Sequence, residues 1–253
     1  MTLLTLHCGG SEDDVPTLDV VADQITFKSV ETLGAHHMLA TIRQDTQWGD
    51  GGTETHEESV ELAWNNWDNF HLRRVVRGAT VAETIVVEGQ SYHRGKGPGW
   101  QEEVDAEPAR MRVRTSWNVW DTAMDVFASR VTLTESERSV VDGRPATRFK
   151  VDLSPLPPNT RVNTSAMSPQ AISGEVWLDE KTAVRLASDV DATVTQKGMS
   201  RTTVLHLRRG SIGQEQTIQA PERSARPSTD ILKARARGRR DSTGRIQPNT
   251  ANP

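Results

Sequence analysis

The stretch Val184-Arg-Leu-Ala-Ser-Asp-Val-Asp-Ala-Thr-Val194 alternates between two kinds of side chain. Apolar or small side chains occupy the even positions, and charged or polar ones occupy most odd positions, from Arg185 to Thr193. This period of two is typical of a strand with one buried face and one wet face. Because strands buried on both faces lack the alternation, the stretch predicts an antiparallel sheet.

The same alternation recurs in shorter runs from about residue 21 to residue 219. Turn signals separate the runs at hairpin distances, and the strongest is Asp142-Gly143, a two-residue primed turn. Strands joined by short hairpins form a meander, so we predict one curved antiparallel sheet. The side chains predicted to face its interior in these runs are Met38, Ala40, Ile42, Val60, Leu62, Trp64, Val81, Ile85, Val87, Thr147, Phe149, Val151, Leu153, Val176 and Leu178.

One segment, Thr115–Ala128, breaks the period of two. Thr115 or Ser116 is in position to cap the start of a helix, and a shorter helix is predicted near residues 18–23. A lone helix amid hairpins buries its apolar stripe on the concave face of the sheet. The predicted fold class is therefore mainly β (α+β), a single curved antiparallel sheet forming an unclosed barrel around one or more helices. The stripe consists of side chains at intervals of three or four: Trp117, Trp120, Met124 and Phe127.

Composition divides the 253 residues into three parts. Residues 1–20 are interpreted as a signal-like remnant and flexible N-terminus, 21–222 as one half-barrel domain, and 223–253 as a basic disordered tail. The tail contains eight Arg or Lys against two Asp, a net charge of +6, and since the whole chain carries −4, residues 1–222 carry −10. An acidic body argues against nucleic acid as a partner. A basic tail without apolar periodicity is typical of a solvated extension.

The chain begins with a short apolar run that ends at its one cysteine, Cys8. Small and acidic residues follow in 9–14, which is similar to the end of a bacterial lipoprotein signal, where the cysteine carries the lipid. No basic segment precedes the run, and seven residues are fewer than such a signal needs. We therefore expect a precursor that begins upstream, with Cys8 as the lipid attachment site. The alternative is an ordinary N-terminus with a free thiol.

The sequence lacks the usual catalytic and metal-binding patterns. The adjacent residues His36 and His37 point to opposite faces of a strand and cannot share one ion, and a single cysteine excludes a cysteine cluster. There is no Gly-x-Ser-x-Gly elbow followed by a histidine, and no glycine-rich phosphate loop opens a helix. We therefore predict no enzyme activity, no metal and no cofactor.

Tryptophan is frequent, with seven residues against one tyrosine and four phenylalanines. These rings either fill the core or, because a half-open sheet cannot close completely over one helix, line an apolar cleft. A cleft of rings and aliphatic side chains without charges suits an acyl chain. The predicted lining of this cleft is Leu62, Trp64, Ile85, Val87, Trp117, Trp120, Met124, Phe127, Phe149, Val151, Val176 and Leu178.

Four segments resemble a known group of proteins. Residues 86–100, with the sequence VVEGQSYHRGKGPGW, are similar to the hairpin of LppX/LprG-type lipoproteins, with an apolar strand, an acidic residue and glycine, a glycine-rich turn and tryptophan. Residues 142–153 resemble a later strand pair of that group. Residues 174–179 and 214–222 resemble the closing strands and the end of the same group and of LolA-like carriers. The resemblance covers about residues 25–222.

The resemblance implies an unclosed barrel capped by helices, a hydrophobic cavity, and carriage of lipid or lipoprotein across a cell envelope without catalytic residues. We therefore expect a non-catalytic, monomeric lipoprotein of the bacterial cell envelope that faces the periplasm. It would bind a lipid or the acyl chain of a lipoprotein, with an N-terminal lipid anchor at the membrane. The alternative is a structural or protein-binding module with a filled cavity. A third class, a hydrolase of unusual design, predicts a cluster of polar groups inside the cavity.

Overall fold

The computed structural model describes residues 28–97, 99–155 and 166–222. The chain divides into two compact units, Met1–Ala220 and Pro221–Pro253, and every helix and strand of the described residues belongs to the first. Three predictions lie outside these residues: the signal-like segment 1–20 with Cys8, the helix near 18–23, and the basic tail 223–253.

Strands make up most of the described chain and join in one antiparallel sheet. Their order is β6-β5-β4-β3-β2-β1-β11-β10-β9-β8-β7, so every neighbour except the β1–β11 pair is also a neighbour in sequence. The outermost strands, β6 and β7, do not pair with each other, and the predicted unclosed antiparallel sheet is confirmed. The strands are β1 His36–Trp48, β2 Thr53–Asn66, β3 Asn69–Val76, β4 Ala79–Val87, β5 Gln90–Arg94, β6 Gln101–Glu102, β7 Val131–Val141, β8 Arg144–Leu153, β9 Ser168–Asp179, β10 Arg185–Gln196 and β11 Met199–Gly210.

Short turns whose residues have positive φ join consecutive strands of the meander. The primed turn predicted at Asp142-Gly143 is confirmed, with φ of 49° and 76°. Glu88-Gly89 has the same conformation, with φ of 51° and 77°. Turns of this type match the right-handed twist of the strands that they join, so each hairpin closes without splaying.

In the described part of the chain, three short helices accompany the sheet: α1 Lys28–Leu33, α2 Glu107–Trp117 and α3 Val119–Met124, with a 3₁₀ turn at Asp125–Arg130. The helix predicted over Thr115–Ala128 therefore had wrong boundaries. Helix α2 starts earlier, with a proline in its first turn where the missing N–H costs nothing.

The start of the predicted helix lies in the last turn of α2. Asn118, with φ −97° and ψ 65°, separates α2 from α3. The Thr115 hydroxyl does not cap a helix start, because it donates to the backbone oxygens of Met111 (3.2 Å) and Arg112 (3.0 Å) inside α2. The aromatic stripe is nevertheless buried as one surface, because α2 and α3 both pack against the sheet on either side of Asn118.

The helices lie on one side of the sheet, which we call the inner face. One buried cluster combines inner residues of nine strands with residues of α1, α2 and α3. The predicted burial of the helix stripe is confirmed, because Trp117, Trp120, Met124 and Phe127 are each exposed by 2% or less. Fully burying side chains of this size contributes roughly 1.5–3 kcal/mol each, so this packing holds α2 and α3 to the sheet.

Strand β4 presents the opposite face from the one predicted. Val86 lies opposite Phe70 and belongs to the inner cluster. Ile85 and Val87 therefore point to the outer face, where Ile85 lies opposite His71. Both alternating sets of β4 mix apolar and polar side chains, so the strand's own sequence does not fix which face is buried. Pairing with β3 fixed the register instead.

The outer face is charged, as the alternation predicts. Ion pairs cross from strand to strand: Glu61 of β2 accepts from His37 of β1 at 3.2 Å and from Arg73 of β3 at 2.5 Å. Asp189 of β10 contacts both His206 and Arg208 of β11. Exposed pairs of this kind contribute little stability each, but their charged side chains keep the outer face hydrated.

Candidate functional site

The predicted cleft corresponds to the interior between the inner face and the helices α2 and α3. Ile85 and Val87 lie outside it, on the outer face. The other ten predicted lining residues come together here. Nine belong to the buried cluster and the tenth, Phe149, packs against it: Leu62, Trp64, Trp117, Trp120, Met124, Phe127, Phe149, Val151, Val176 and Leu178.

Aromatic rings form one side of this interior. Trp64 is stacked on Phe70, with ring centroids 5.7 Å apart and planes inclined by 20°. Trp67 meets Trp64 edge-on at 4.4 Å, and its indole N–H donates to Glu31 of α1 at 2.6 Å. Such pairs add about 0.5–1.5 kcal/mol beyond area burial. The first helix is thereby tied to the β2–β3 hairpin.

A pocket of about 200 Å³ opens at the edge of the interior, between α2–α3 and the inner face. Ile42 and Val60 of the sheet and Val119 of α3 line its apolar side, and all three belong to the buried cluster. Glu58 and Arg74 form its polar rim, paired at 2.5 and 2.8 Å. The pocket therefore connects solvent with the apolar interior.

The other end of the interior holds two buried arginines. Arg209 of β11 is exposed by 3%, and its guanidinium carbon lies 4.2 Å from the centre of the Trp117 ring. Arg185 of β10 is exposed by 2% and lies 4.3 Å from the Trp120 ring. Desolvated cation–π contacts of this kind are worth roughly 2 kcal/mol. Each guanidinium group thus packs against a tryptophan of one helix, Arg209 against α2 and Arg185 against α3.

Arg209 makes all of its observed hydrogen bonds with neutral acceptors. It donates to the backbone oxygen of Trp117 at 3.0 Å, to Met38 Sδ at 3.4 Å, and to the backbone oxygen of Arg185. The Trp117 carbonyl lies at the C-terminal end of α2, where a cation is favourable. Burial, together with repulsion from Arg185, lowers the pKa of Arg209 to about 9. The group is a cation near neutral pH, without a carboxylate beside it in the described part of the chain.

His36 completes the polar end of the interior. Its Nε2 accepts the indole N–H of Trp117 at 3.3 Å. The proton therefore lies on Nδ1, which donates to the backbone oxygen of Gly34 at 2.8 Å. Burial, opposed in part by the Gly34 hydrogen bond, lowers the pKa of His36 to about 4. The imidazole is neutral, and both of its nitrogens are engaged.

The sequence contained a signal for two of these residues. Arg209 and His36 stand in the alternating positions that are apolar elsewhere in their strands. Arg209 follows Leu205 and Leu207 at a spacing of two, and His36 precedes Met38 by two. Charged or polar residues in such positions point inward.

Arg185 was predicted on the wet face, and the structure buries it. An irregularity in the β9–β10 pairing between Arg185 and Ala187 shifts the register at this end. The bulge re-aims the side chain toward Trp120. Nothing in the local sequence marks this bulge.

The described residues form no metal centre. They contain no group of three or more His, Cys, Asp or Glu side chains that could hold an ion. Ser188 is fully buried inside, but His36, the one histidine of the buried core, has both nitrogens occupied and is not available to activate it. Among the same residues, no helix is long and apolar enough to cross a membrane.

A second pocket, of about 410 Å³, involves the middle strands. Its lining is mostly outer-face side chains such as Thr41, Arg43 and His206. None of the predicted lining residues contributes to it. Both of its arginines are already paired, Arg43 with Asp45 at 2.9 Å and Arg77 with Glu54 at 2.8 Å.

An unclosed antiparallel sheet with aromatic helices on its inner face defines the class of fold. No family model matches the chain, and no curated protein does. Several solved structures do. The MucA/MucB complex of Pseudomonas aeruginosa matches at 19% identity and a TM-score of 0.27, over 80% of this chain. The chain spans 60% of that MucB-complex chain, so it is shorter than its match.

Two further matches cover most of both chains. LprF of Mycobacterium bovis matches at 12% identity and a TM-score of 0.31, over 80% of this chain and 96% of its own. A LolA superfamily protein of Nitrosomonas europaea matches at 8% identity and a TM-score of 0.24, over 79% of this chain and 92% of its own. Proteins of the group that the sequence resembles are thus among the structures similar to it. The likeness is one of fold alone, and because these three TM-scores lie below 0.5 we take the architecture from the chain's own strand pairing.

Proposed function

We propose that the chain is a non-catalytic lipoprotein of the bacterial cell envelope that binds or carries a lipid or an acylated protein. The ligand's acyl chain occupies the interior between the inner face and the helices α2 and α3. Cys8 carries the lipid that anchors the protein, which acts as a monomer facing the periplasm. No catalytic residue, metal or cofactor takes part.

The pocket at the edge of the interior is the observation that carries this proposal. It joins solvent to a continuous apolar cluster, and its walls belong to separate elements, Val119 on α3 and Val60 on β2. An acyl chain that enters here gains about 0.8 kcal/mol for each methylene buried. The acyl chain extends the pocket by displacing α2 and α3, whose side chains pack against the inner face of the sheet.

The alternative function, a structural or protein-binding module with a filled interior, is supported by a different observation. The ten lining residues that come together are close-packed, and Leu62, Trp64 and Val176 are exposed by 1% or less. A carrier of this design must loosen the packing to accept its ligand. A module that only presents its outer surface has no such need, so lipid binding separates the two functions.

The test is a titration of the purified full chain with a fluorescent fatty acid such as cis-parinaric acid. We expect saturable binding of one molecule per chain. The variant Ser116→Trp places a large ring in the pocket mouth from α2, where Ser116 already forms part of the lining. It should weaken binding by tenfold or more without unfolding the protein.

Met111→Trp is the matched control. Met111 lies on the same helix, is exposed by 47%, and takes no part in this pocket, so its replacement should leave binding unchanged. Absence of saturable binding by the wild-type protein would refute lipid binding and favour the filled module. Equal binding by wild type and Ser116→Trp would move the ligand away from this pocket.

A further inference from the structure

The buried polar groups at the far end of the interior form an incomplete set. Arg209 donates to two carbonyls and a thioether, and its Nε has no hydrogen-bond partner within the described residues. Ser188, exposed by 0%, has a hydroxyl without such a partner as well. Buried polar groups without partners are uncommon and costly. Both groups offer donors, and what they lack is an acceptor.

These two groups lie close together on the inner face. Ser188 of β10 is opposite Leu207 of β11, and Arg209 follows Leu207 by two residues, so its side chain is on the same face. Diagonal neighbours of this kind are about 7–8 Å apart along the backbone. A single oxyanion placed between them can accept from both.

The electrostatics of this end of the interior favour an anion. Among the described residues, the charged group that lowers the pKa of Arg209 is Arg185, itself a cation. A buried charge without a counter-charge is unfavourable by several kcal/mol. The neighbouring ring of Trp117 stabilises the Arg209 cation but leaves its charge in place. His36, which faces the same region, is neutral.

We propose that Arg209 and Ser188 bind the anionic head group, a carboxylate or a phosphate, of the acyl ligand. This inference rests on the proposed function and names its ligand class as an anionic amphiphile. The acyl chain lies along the apolar cluster toward the pocket at Val60 and Val119, and the head group lies beside Trp117. Neutral lipids then bind through their chains alone and lack the head-group contacts.

Matched ligands that differ only in the head group test this proposal. The neutral probe N-phenyl-1-naphthylamine is bound to the full chain and displaced by dodecanoate, dodecyl phosphate or dodecanol. The anions should bind at least tenfold more tightly than the alcohol, about 1.4 kcal/mol, as a hydrogen bond to a charged group provides. In Arg209→Met this preference should fall below twofold, while dodecanol affinity stays within twofold of wild type. The ranking of dodecanoate against dodecyl phosphate identifies which head group the site prefers.

The control variant Arg208→Met removes the neighbouring arginine, which lies on the outer face and pairs with Asp189. It should retain the full preference for anions. If Arg209→Met does not fold, Ser188→Ala removes one donor with little change in volume and should reduce the preference at least threefold.

The possible outcomes separate the two proposals. Equal affinity for dodecanoate, dodecyl phosphate and dodecanol in the wild-type protein refutes the anion site while leaving acyl binding intact. The same equality is expected if a carboxylate from another part of the chain already neutralises Arg209. A preference that survives in both Arg209→Met and Ser188→Ala also refutes it. Failure of the probe and all three ligands to bind refutes the proposed function itself.

Discussion

The buried imidazole of His36 makes the stability of this fold dependent on pH in a defined window. Its pKa is about 4 in the folded protein against 6.5 for the free side chain. Above pH 6.5 the group is neutral in both states and contributes no pH dependence. As the pH falls from 6.5 to 4, the unfolded chain binds a proton that the folded chain does not, so folding becomes less favourable.

The magnitude follows from these two pKa values. At about 1.36 kcal/mol per pH unit, the loss between pH 6.5 and pH 4 amounts to roughly 3 kcal/mol. Protonation inside the fold would take away the acceptor of the Trp117 indole N–H. It would also place a second positive charge near Arg209 and beside the neighbouring His37. Burial, which disfavours the charged form, is the largest reason why the folded protein resists this protonation, and these effects add to it.

Urea denaturation at pH 7.5, 6, 5 and 4 measures this dependence. His36→Gln keeps a neutral hydrogen-bonding side chain and should remove this part of it. The free energy of unfolding of the wild type should therefore fall by roughly 3 kcal/mol more than that of the variant. Because the other titrating groups are common to both proteins, their contributions cancel in the difference. Parallel pH curves for the two proteins would refute the assignment of His36 as a buried neutral group.

Two further predictions concern stability. Gly174 has φ +144°, and a Cβ there would lie 2.1 Å from the backbone oxygen of Asp189. Gly174→Ala should therefore lower the free energy of unfolding, measured by urea denaturation, by at least about 2 kcal/mol. A decrease of less than about 0.5 kcal/mol would contradict the close approach of β9 and β10. Arg144 pairs with the buried Asp179 at 2.7 and 3.0 Å. Burial favours the neutral acid, but hydrogen bonds from Arg144 and Thr182 hold the pKa of Asp179 below its usual range. Arg144→Met should then cost about 2–3 kcal/mol at pH 7 and less as the pH falls through the Asp179 pKa. A cost that does not change with pH would show that it does not come from the pairing of Arg144 with ionised Asp179.

The local chemistry of the chain was enough to predict the strands and their turns. Alternation in 184–194 depends only on side-chain polarity and the period of two, and φ preferences fixed the turn at Asp142-Gly143. The aromatic stripe, too, was readable as one buried surface. Charged residues opposite one another on the outer face followed from the same alternation.

Long-range pairing decided what the local sequence left ambiguous. In β4 both alternating sets mix apolar and polar side chains, so the pairing with Phe70 determined that Val86 faces inward and Ile85 outward. The helix break at Asn118 likewise depends on how α2 and α3 fit the sheet, because the segment 115–128 has an unbroken helical period.

The sequence by itself determined an antiparallel sheet with one apolar face and an aromatic stripe to cover it, because both follow from polarity repeated at a fixed spacing. Only the tertiary structure decided what lies at the end of the interior. Arg185 reaches it through a bulge in pairing with β9. Arg209 and His36 meet there because β1 and β11, at opposite ends of the sheet-forming chain, lie side by side. Contacts between residues so distant in sequence depend on the pairing of β1 with β11, which joins the two halves of the open sheet and which no local spacing encodes.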